Sequence, residues 1–302
     1  SSTYPLFALA NISIVLVPKN PLPDSTVTAR VESFDLDIDR NIITWTLGNE
    51  TITKGVGKNT TRFTMPKIGR TKKLSVYVGD SSSFVLLMGN DIDILYEAET
   101  HTPYWYRGLA LPTIESRIKT VAIPFLYSNG NKLDSSSLIY EWFLNHKKNI
   151  SDSGSGKNYA FFKINNYEDN VITVRVSNQE GSVSMEKSIV LSVANTKPKT
   201  LFYENDNLLG TLFNKTLQGG VSLFNTISIK AEPFFFSKRG NFDHLTFEWS
   251  MNNKEIQTDS GVPNILNLKK DSDASGNVSI SLRVQNWKEK LQFAENNLIV
   301  NF

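Results

Sequence analysis

Residues 138–158 read LIYEWFLNHKKNISDSGSGKN. The GSGK near the end resembles half of a phosphate-binding loop. The YEW near the start has the look of a strand that buries a tryptophan. The stretch has two counterparts, IITWTLGNETITKGVGK at 42–58 and LTFEWSMNNKEIQTDSGVPN at 245–264. Each holds a β-rich run, a tryptophan (Trp45, Trp142, Trp249), a polar Asn-containing turn and a Gly-containing turn. The tryptophans lie roughly 100 residues apart, the size of one small all-β domain. A second apolar strand follows each copy (KLSVYV, VITVRV, VSISLRV), and another precedes each (VTARVESF, KTVAIPF, ISIKAEPFFF). The repeat decides how GSGK is read. A P-loop needs Gly where Ser151 stands and Ser or Thr where Asn158 stands. The matching VGKN and VPN of the other copies are turns between strands, and GSGK is expected to be one too.

Alternation supports this. In TVTARVESF, Val27, Ala29, Val31 and Ser33 share one face. In VSISLRV, Val278, Ile280, Leu282 and Val284 do the same. Period two is the mark of half-buried antiparallel strands, and no stretch keeps the i, i+3, i+4, i+7 pattern of a long helix. The expected fold is all-β: three tandem Ig-like (PKD-like) antiparallel sandwiches joined by short linkers into an extended, semi-rigid rod. The boundaries are an apolar extension or export-signal remnant over 1–10, then domains over 11–90, 91–195 and 196–302. Trp45, Trp142 and Trp249 are assigned to the cores, as the inward tryptophan of an Ig-type third strand would be.

The 302 residues carry 32 basic and 30 acidic side chains, a net charge of +2, and no cysteine. Near-neutral charge offers no electrostatic case for nucleic acid. The missing cysteine removes disulfides, thiolate zinc sites and thiol catalysis together. No segment reaches the roughly 18–20 apolar residues of a membrane span. Ala8-Leu9-Ala10 fits a signal-peptidase site, and export to the cell surface or beyond is expected.

ILYEAETHTPYWYRGLALP, VAIPF, LFYENDNLLGTLFNKTL, LTFEWSMNNK and LQFAENNLIVNF, spread over nearly the whole chain beyond residue 10, resemble tandem Ig-like or PKD-like exported proteins of candidate-phyla-radiation bacteria of the Parcubacteria type. The resemblance implies an exported, repeat-built β protein. It brings no catalytic residue and no cofactor.

Sites for chemistry are sparse. Asp35, Asp37 and Asp39 alternate like the start of an EF-hand loop, but Arg40 replaces the turn glycine and Thr46 the closing Glu. They remain weak metal candidates, and Asp91 with Asp93 and Asp271 with Asp273 are weaker still. His101, His146 and His244 have no ligand spacing and read as solvated loop residues. GDSSS (79–83) lacks the strand-to-helix context of a nucleophile and reads as an interstrand loop. No acid–base constellation is visible, so no enzyme is expected. The sequons at Asn11, Asn49, Asn59, Asn149, Asn214 and Asn277 are about as many as chance predicts in a chain this rich in Asn, Ser and Thr. Asn49, Asn59 and Asn149 fall in predicted turns and would be the accessible ones. Tyr104, Trp105 and Tyr106 either stack on a surface glycan or pack at the joint between the first two domains, and packing is favoured. The opening strand of the first domain can be built from ISIVLV, which leaves Tyr4, Leu6, Phe7 and Leu9 as an apolar extension suited to completing a neighbour's sheet. The sequence ends on the strand NLIVNF, and the expectation is that no sorting signal or anchor follows and that attachment comes through other subunits. The expectation is a non-catalytic surface filament or surface-layer type subunit, a homo-polymer assembling head to tail. The alternative is a carbohydrate- or protein-binding adhesin.

Overall fold

Alternating apolar residues become inward rows. In a computed structural model, which describes residues 12–238, 243–258, 261–271 and 275–302, Val27, Ala29 and Val31 are buried while Thr26 and Arg30 are exposed. The first seven strands are β1 (Ile12–Val17), β2 (Thr26–Ser33), β3 (Ile42–Leu47), β4 (Glu50–Val56), β5 (Thr60–Thr64), β6 (Thr71–Val78) and β7 (Ser81–Met88). They form two sheets, β1-β2-β5 and β4-β3-β6-β7. This is Ig-like topology with the fourth strand on the sheet of the third. Trp45 lies wholly buried in a core shared with Val27, Ile43, Phe63, Leu74 and Val76.

The middle repeat contributes β8 (Asp91–Ala98), β9 (Arg117–Phe125), a small hairpin of β10 (Tyr127–Ser128) and β11 (Asn131–Lys132), then β12 (Ile139–Leu144), β13 (Lys147–Ser155), β14 (Tyr159–Lys163), β15 (Asp169–Ser177) and β16 (Ser184–Ser192). Its sheets are β14-β9-β8 and β13-β12-β15-β16, the same order as in the first repeat. The hairpin between β12 and β13 turns on Asn145 and His146, both with positive φ, the type I′ geometry whose twist suits a two-residue hairpin.

The third repeat departs from this plan. After β17 (Lys199–Asp206) come two strands with no counterpart, β18 (Gly210–Thr216) and β19 (Val221–Ser222). Then follow β20 (Thr226–Phe234), β21 (Leu245–Met251), β22 (Lys254–Ile256), β23 (Ile265–Lys269), β24 (Asn277–Asn286) and β25 (Phe293–Asn301). β18 extends one sheet, β18-β17-β20-β23, and β19 joins the other in parallel, β19-β25-β24-β21-β22. The turn into β18 is set by Asp206, whose carboxylate accepts from the backbone N–H of Leu208 (2.7 Å) and Leu209 (2.8 Å). These bonds hold its carboxyl below the usual carboxylate range. Trp249 is buried here, stacked on Phe202 with ring centroids 5.6 Å apart.

The chain divides into two compact units. One runs to Leu95 and includes Val121–Tyr159 and Thr173–Ile189. The other comprises Tyr96–Thr120, Ala160–Ile172 and Val190–Phe302. No helix among the described residues is long and apolar enough to cross a membrane.

Candidate functional site

The GSGK turn holds an indole. Trp142 Nε1 donates to the carbonyl of Lys157 at 2.9 Å. Trp45 Nε1 donates to Lys58 O at 2.9 Å and Trp249 Nε1 to Pro263 O at 3.0 Å. These acceptors occupy one position in the three repeats. The next residue is asparagine each time, and its carbonyl accepts from the strand before the tryptophan: Asn59 from Val31 N, Asn158 from Ala122 N, Asn264 from Ala231 N, all at 2.8–2.9 Å. Gly57 (φ +67°) and Gly156 (φ +69°) shape the turn. A Cβ on Gly57 would meet the backbone oxygen of Asp39 at 3.0 Å. The Gly-Lys pair thus belongs to the scaffold, since an indole N–H sealed in a core needs an acceptor.

Several of the acidic and histidine candidates are also engaged. Asp37 pairs with Arg40 (3.2 Å), and Asp39 accepts from Asn59 Nδ2 (3.3 Å). Asp91 and Asp93 share Lys187 at 2.9 and 3.8 Å. Asp273 lies outside the described residues. Among these residues no group of three or more His, Asp or Glu is placed to hold a metal ion. His146 is exposed in its turn. His244 overturns the solvated-loop expectation: it is buried, with Nε2 2.9 Å from the carbonyl of Ser237. His101 is half-buried, 3.9 Å from the buried carboxylate of Glu232. Ser81–Ser83 are the start of β7 rather than an interstrand loop; the turn is Gly79–Asp80 alone. Asn49 is exposed, whereas Asn59 and Asn149 are half-buried with side-chain amides bonded to Asp39 and Asp152. Tyr4, Leu6, Phe7 and Leu9 lie outside the described residues.

The Tyr104–Tyr106 aromatics pack in a different place from the one expected. Their partners are in the third repeat. Trp105 meets Phe213 (centroids 5.0 Å), Tyr203 (5.6 Å) and Phe234 (5.8 Å), and Tyr106 meets Phe234 and Phe235. The reason is β18: it brings Phe213 beside Tyr203, and FFF (234–236) supplies the rest. Burial and the nearby Glu232 carboxylate push the Tyr203 phenol up. Tyr104 stays 90% exposed, its ring edge-on to Phe213 at 5.9 Å.

Sequence reasoning passed over Gln292. Fully buried, it donates to Ile114 O (2.7 Å) and Ser237 Oγ (2.8 Å) and accepts from Ser237 N (2.8 Å) and Asn286 Nδ2 (3.1 Å). Around it Thr113 Oγ1 donates to Phe235 O (2.8 Å), the backbone N–H of His101 donates to Phe236 O (2.6 Å), and that of Phe235 donates to His101 O (2.7 Å). The segment before β9 is fastened to the third repeat this way, within one compact unit. An inward glutamine at a strand start has no sequence signature.

The outward face of β12, β15 and β16 carries a charge ladder. Arg175 contacts Glu186 (2.8 Å) and Glu141 (3.4 Å), and Lys148 closes on Glu141 at 2.5 Å. The Lys148 hydrogen bond, followed by the charges of Lys148 and Arg175, holds the Glu141 carboxyl below its ordinary range, and Glu186 raises Arg175.

No family model and no curated protein matches the chain. Among solved structures it is similar to the three N-terminal domains of the bacteriophage RB49 highly immunogenic outer capsid protein, at 11% identity over 97% of this chain and 98% of that one, TM-score 0.27. It is also similar to the central fibronectin-III array of RIM-binding protein (8% identity, 97% and 96% covered, TM-score 0.32). A third is the Bacteroides ovatus glucan-locus protein SGBP-B in complex with a mixed-linkage heptasaccharide (9% identity, 93% and 64% covered, TM-score 0.22). Superpositions this loose carry no residue from one chain to another.

Proposed function

We propose that this chain is a non-catalytic structural module of an extracellular or cell surface, a subunit that assembles head to tail through its N-terminal segment. The observation that carries the reading is the threefold indole-to-turn bond: the one motif suggestive of phosphate chemistry is a core fastening, present in every repeat. The resemblance to exported tandem Ig-like proteins supports the location. Tyr4, Leu6, Phe7 and Leu9 would add to a neighbour's sheet by backbone pairing, with alternate side chains filling pockets. A contact that joins unlike surfaces does not close and builds a fibre.

Deleting residues 1–10 tests this. Filaments of the intact chain in negative-stain electron microscopy should be absent from the truncated one. Filaments that persist without the segment, or an intact chain that stays monomeric at high concentration, reject it. The adhesin reading rests on Tyr104, a ring 90% exposed at the rim of an aromatic cluster. Glycan-array binding abolished by Tyr104→Ala would favour it.

A further inference from the structure

The third repeat rebuilds the middle repeat's charge ladder with two of its parts missing. Glu248, Arg283 and Glu295 stand in one row across β21, β24 and β25, and Arg283 contacts Glu295 at 2.7 Å. They match Glu141, Arg175 and Glu186. In the middle repeat Phe143 pairs with Lys148 across β12 and β13, one residue beyond the tryptophan. At the same register the third repeat has Ser250 opposite Glu255. A ring has become a hydroxyl, and an ammonium has become a carboxylate. The space once filled is now a groove of about 610 Å³, lined by Glu248, Ser250, Glu255, Arg283, Glu295 and Asn297 among others. Three carboxylates there face one guanidinium, already committed to Glu295. The middle repeat shows what a carboxylate at this row holds: an ammonium, Lys148 Nζ, at 2.5 Å from Glu141.

The same outward face in the first repeat has the opposite charge. The outward residues of β4, β3, β6 and β7 alternate along the pairing register, and the charged ones among them, Lys54 and Lys73, are both cations. Lys73 Nζ lies 4.2 Å from the centroid of the Phe84 ring, and Phe84 is 59% exposed. Ring and ammonium together are the two groups that the groove in the third repeat lacks.

We propose that the groove between Glu248 and Glu255 receives Lys73, with the Phe84 ring beside it, from a second copy of this chain. Facing charges of opposite sign set the register, and the apolar ring fills the place of Phe143. The two surfaces are unlike, so the contact is heterologous and open-ended. It is distinct from the N-terminal contact of the proposed function and adds a second attachment between copies.

The native chain has no cysteine, which permits a clean test on full-length protein. Chains carrying Leu86→Cys, on the residue opposite Lys73, are mixed with chains carrying Ser250→Cys, on the residue opposite Glu255, and oxidised, so that both charges are kept. The mixed disulfide dimer should exceed either same-variant dimer by about tenfold, and raising salt to about 1 M, where screening falls to about 3 Å, should remove the excess. Without cross-linking, Glu255→Lys should weaken self-association in sedimentation velocity by about tenfold or more, in the range of close interfacial charge pairs, and adding Lys73→Glu should restore it. No excess of the mixed dimer, or self-association unchanged by Glu255→Lys, overturns the proposal. So does binding of a glucosamine oligomer that depends on Glu255 while the chains stay monomeric, which would give the groove to an amino sugar. Loss of filaments on removing residues 1–10 with the mixed disulfide retained separates the two contacts: the N-terminal reading can then fail or hold by itself.

Discussion

Trp142 and the carbonyl of Lys157 make one hydrogen bond, and two separate consequences follow from it at the scale of the residue. The ring fills the core, and its N–H ties the turn after β13 to that core. Trp142→Ala removes both and is expected to cost about 3–5 kcal/mol. Trp142→Phe keeps most of the volume and leaves the Lys157 carbonyl without its donor, for about 1–3 kcal/mol. Urea denaturation of the two variants should rank them in that order; equal costs would mean that the bond contributes nothing beyond packing. Tyr140 gives a pH prediction. Burial first, and the Asp134 charge second, push its phenol up to about 12 from 10.0, while its hydroxyl donates to Ser135 O at 2.9 Å. The protonated phenol is favoured in the folded state, so its contribution is complete below pH 10 and is lost as pH rises through 12. Alkaline titration followed by circular dichroism should show this loss, and Tyr140→Phe should weaken it.

At the scale of the element, three strand patterns were legible because each side of a strand has one environment. TVTARVESF and VSISLRV give their inward rows directly from alternation. β18 and β19 were not legible: LLGTLFNKTL alternates poorly, and its pairing with β17 depends on the Asp206 turn and on partners distant in sequence. With that hairpin unseen, the resting place of Trp105 could not be read either, since Phe213 is on β18. Gln292 is the strongest test at this scale. Gln292→Leu strands the Ser237 N–H and the Asn286 amide in a buried site, where each unpaired group costs about 1–3 kcal/mol. The denaturation midpoint of the unit containing the third repeat should fall accordingly. An unchanged midpoint would show that neighbouring groups re-pair without it.

For the whole molecule, the composition forecast a chain stabilised by cores alone, and the metal prediction belongs here. Asp37 and Asp39 are tied to Arg40 and Asn59, so neither chelator nor millimolar calcium is expected to move the melting temperature in calorimetry. A rise of several degrees with calcium would reassign Asp35, Asp37 and Asp39 as ligands. The proposed attachments between copies differ in kind. One uses an apolar segment and backbone pairing, the other paired charges, so salt should weaken only the second.

The all-β class, the threefold repeat and the inward tryptophans were determined by sequence alone, because alternation and turn residues are local and recur at a fixed interval. The tertiary structure decided the rest. His244 is buried where the fold brings the carbonyl of Ser237 within 2.9 Å of its Nε2. Asn149, expected in an accessible turn, lies on β13 with its amide bonded to Asp152. The groove beside Glu248 exists because Ser250 and Glu255 stand where another repeat has Phe143 and Lys148, and that substitution acquires meaning only when strand register lays the two repeats side by side. Such features depend on which distant residues meet, and a linear pattern does not encode that.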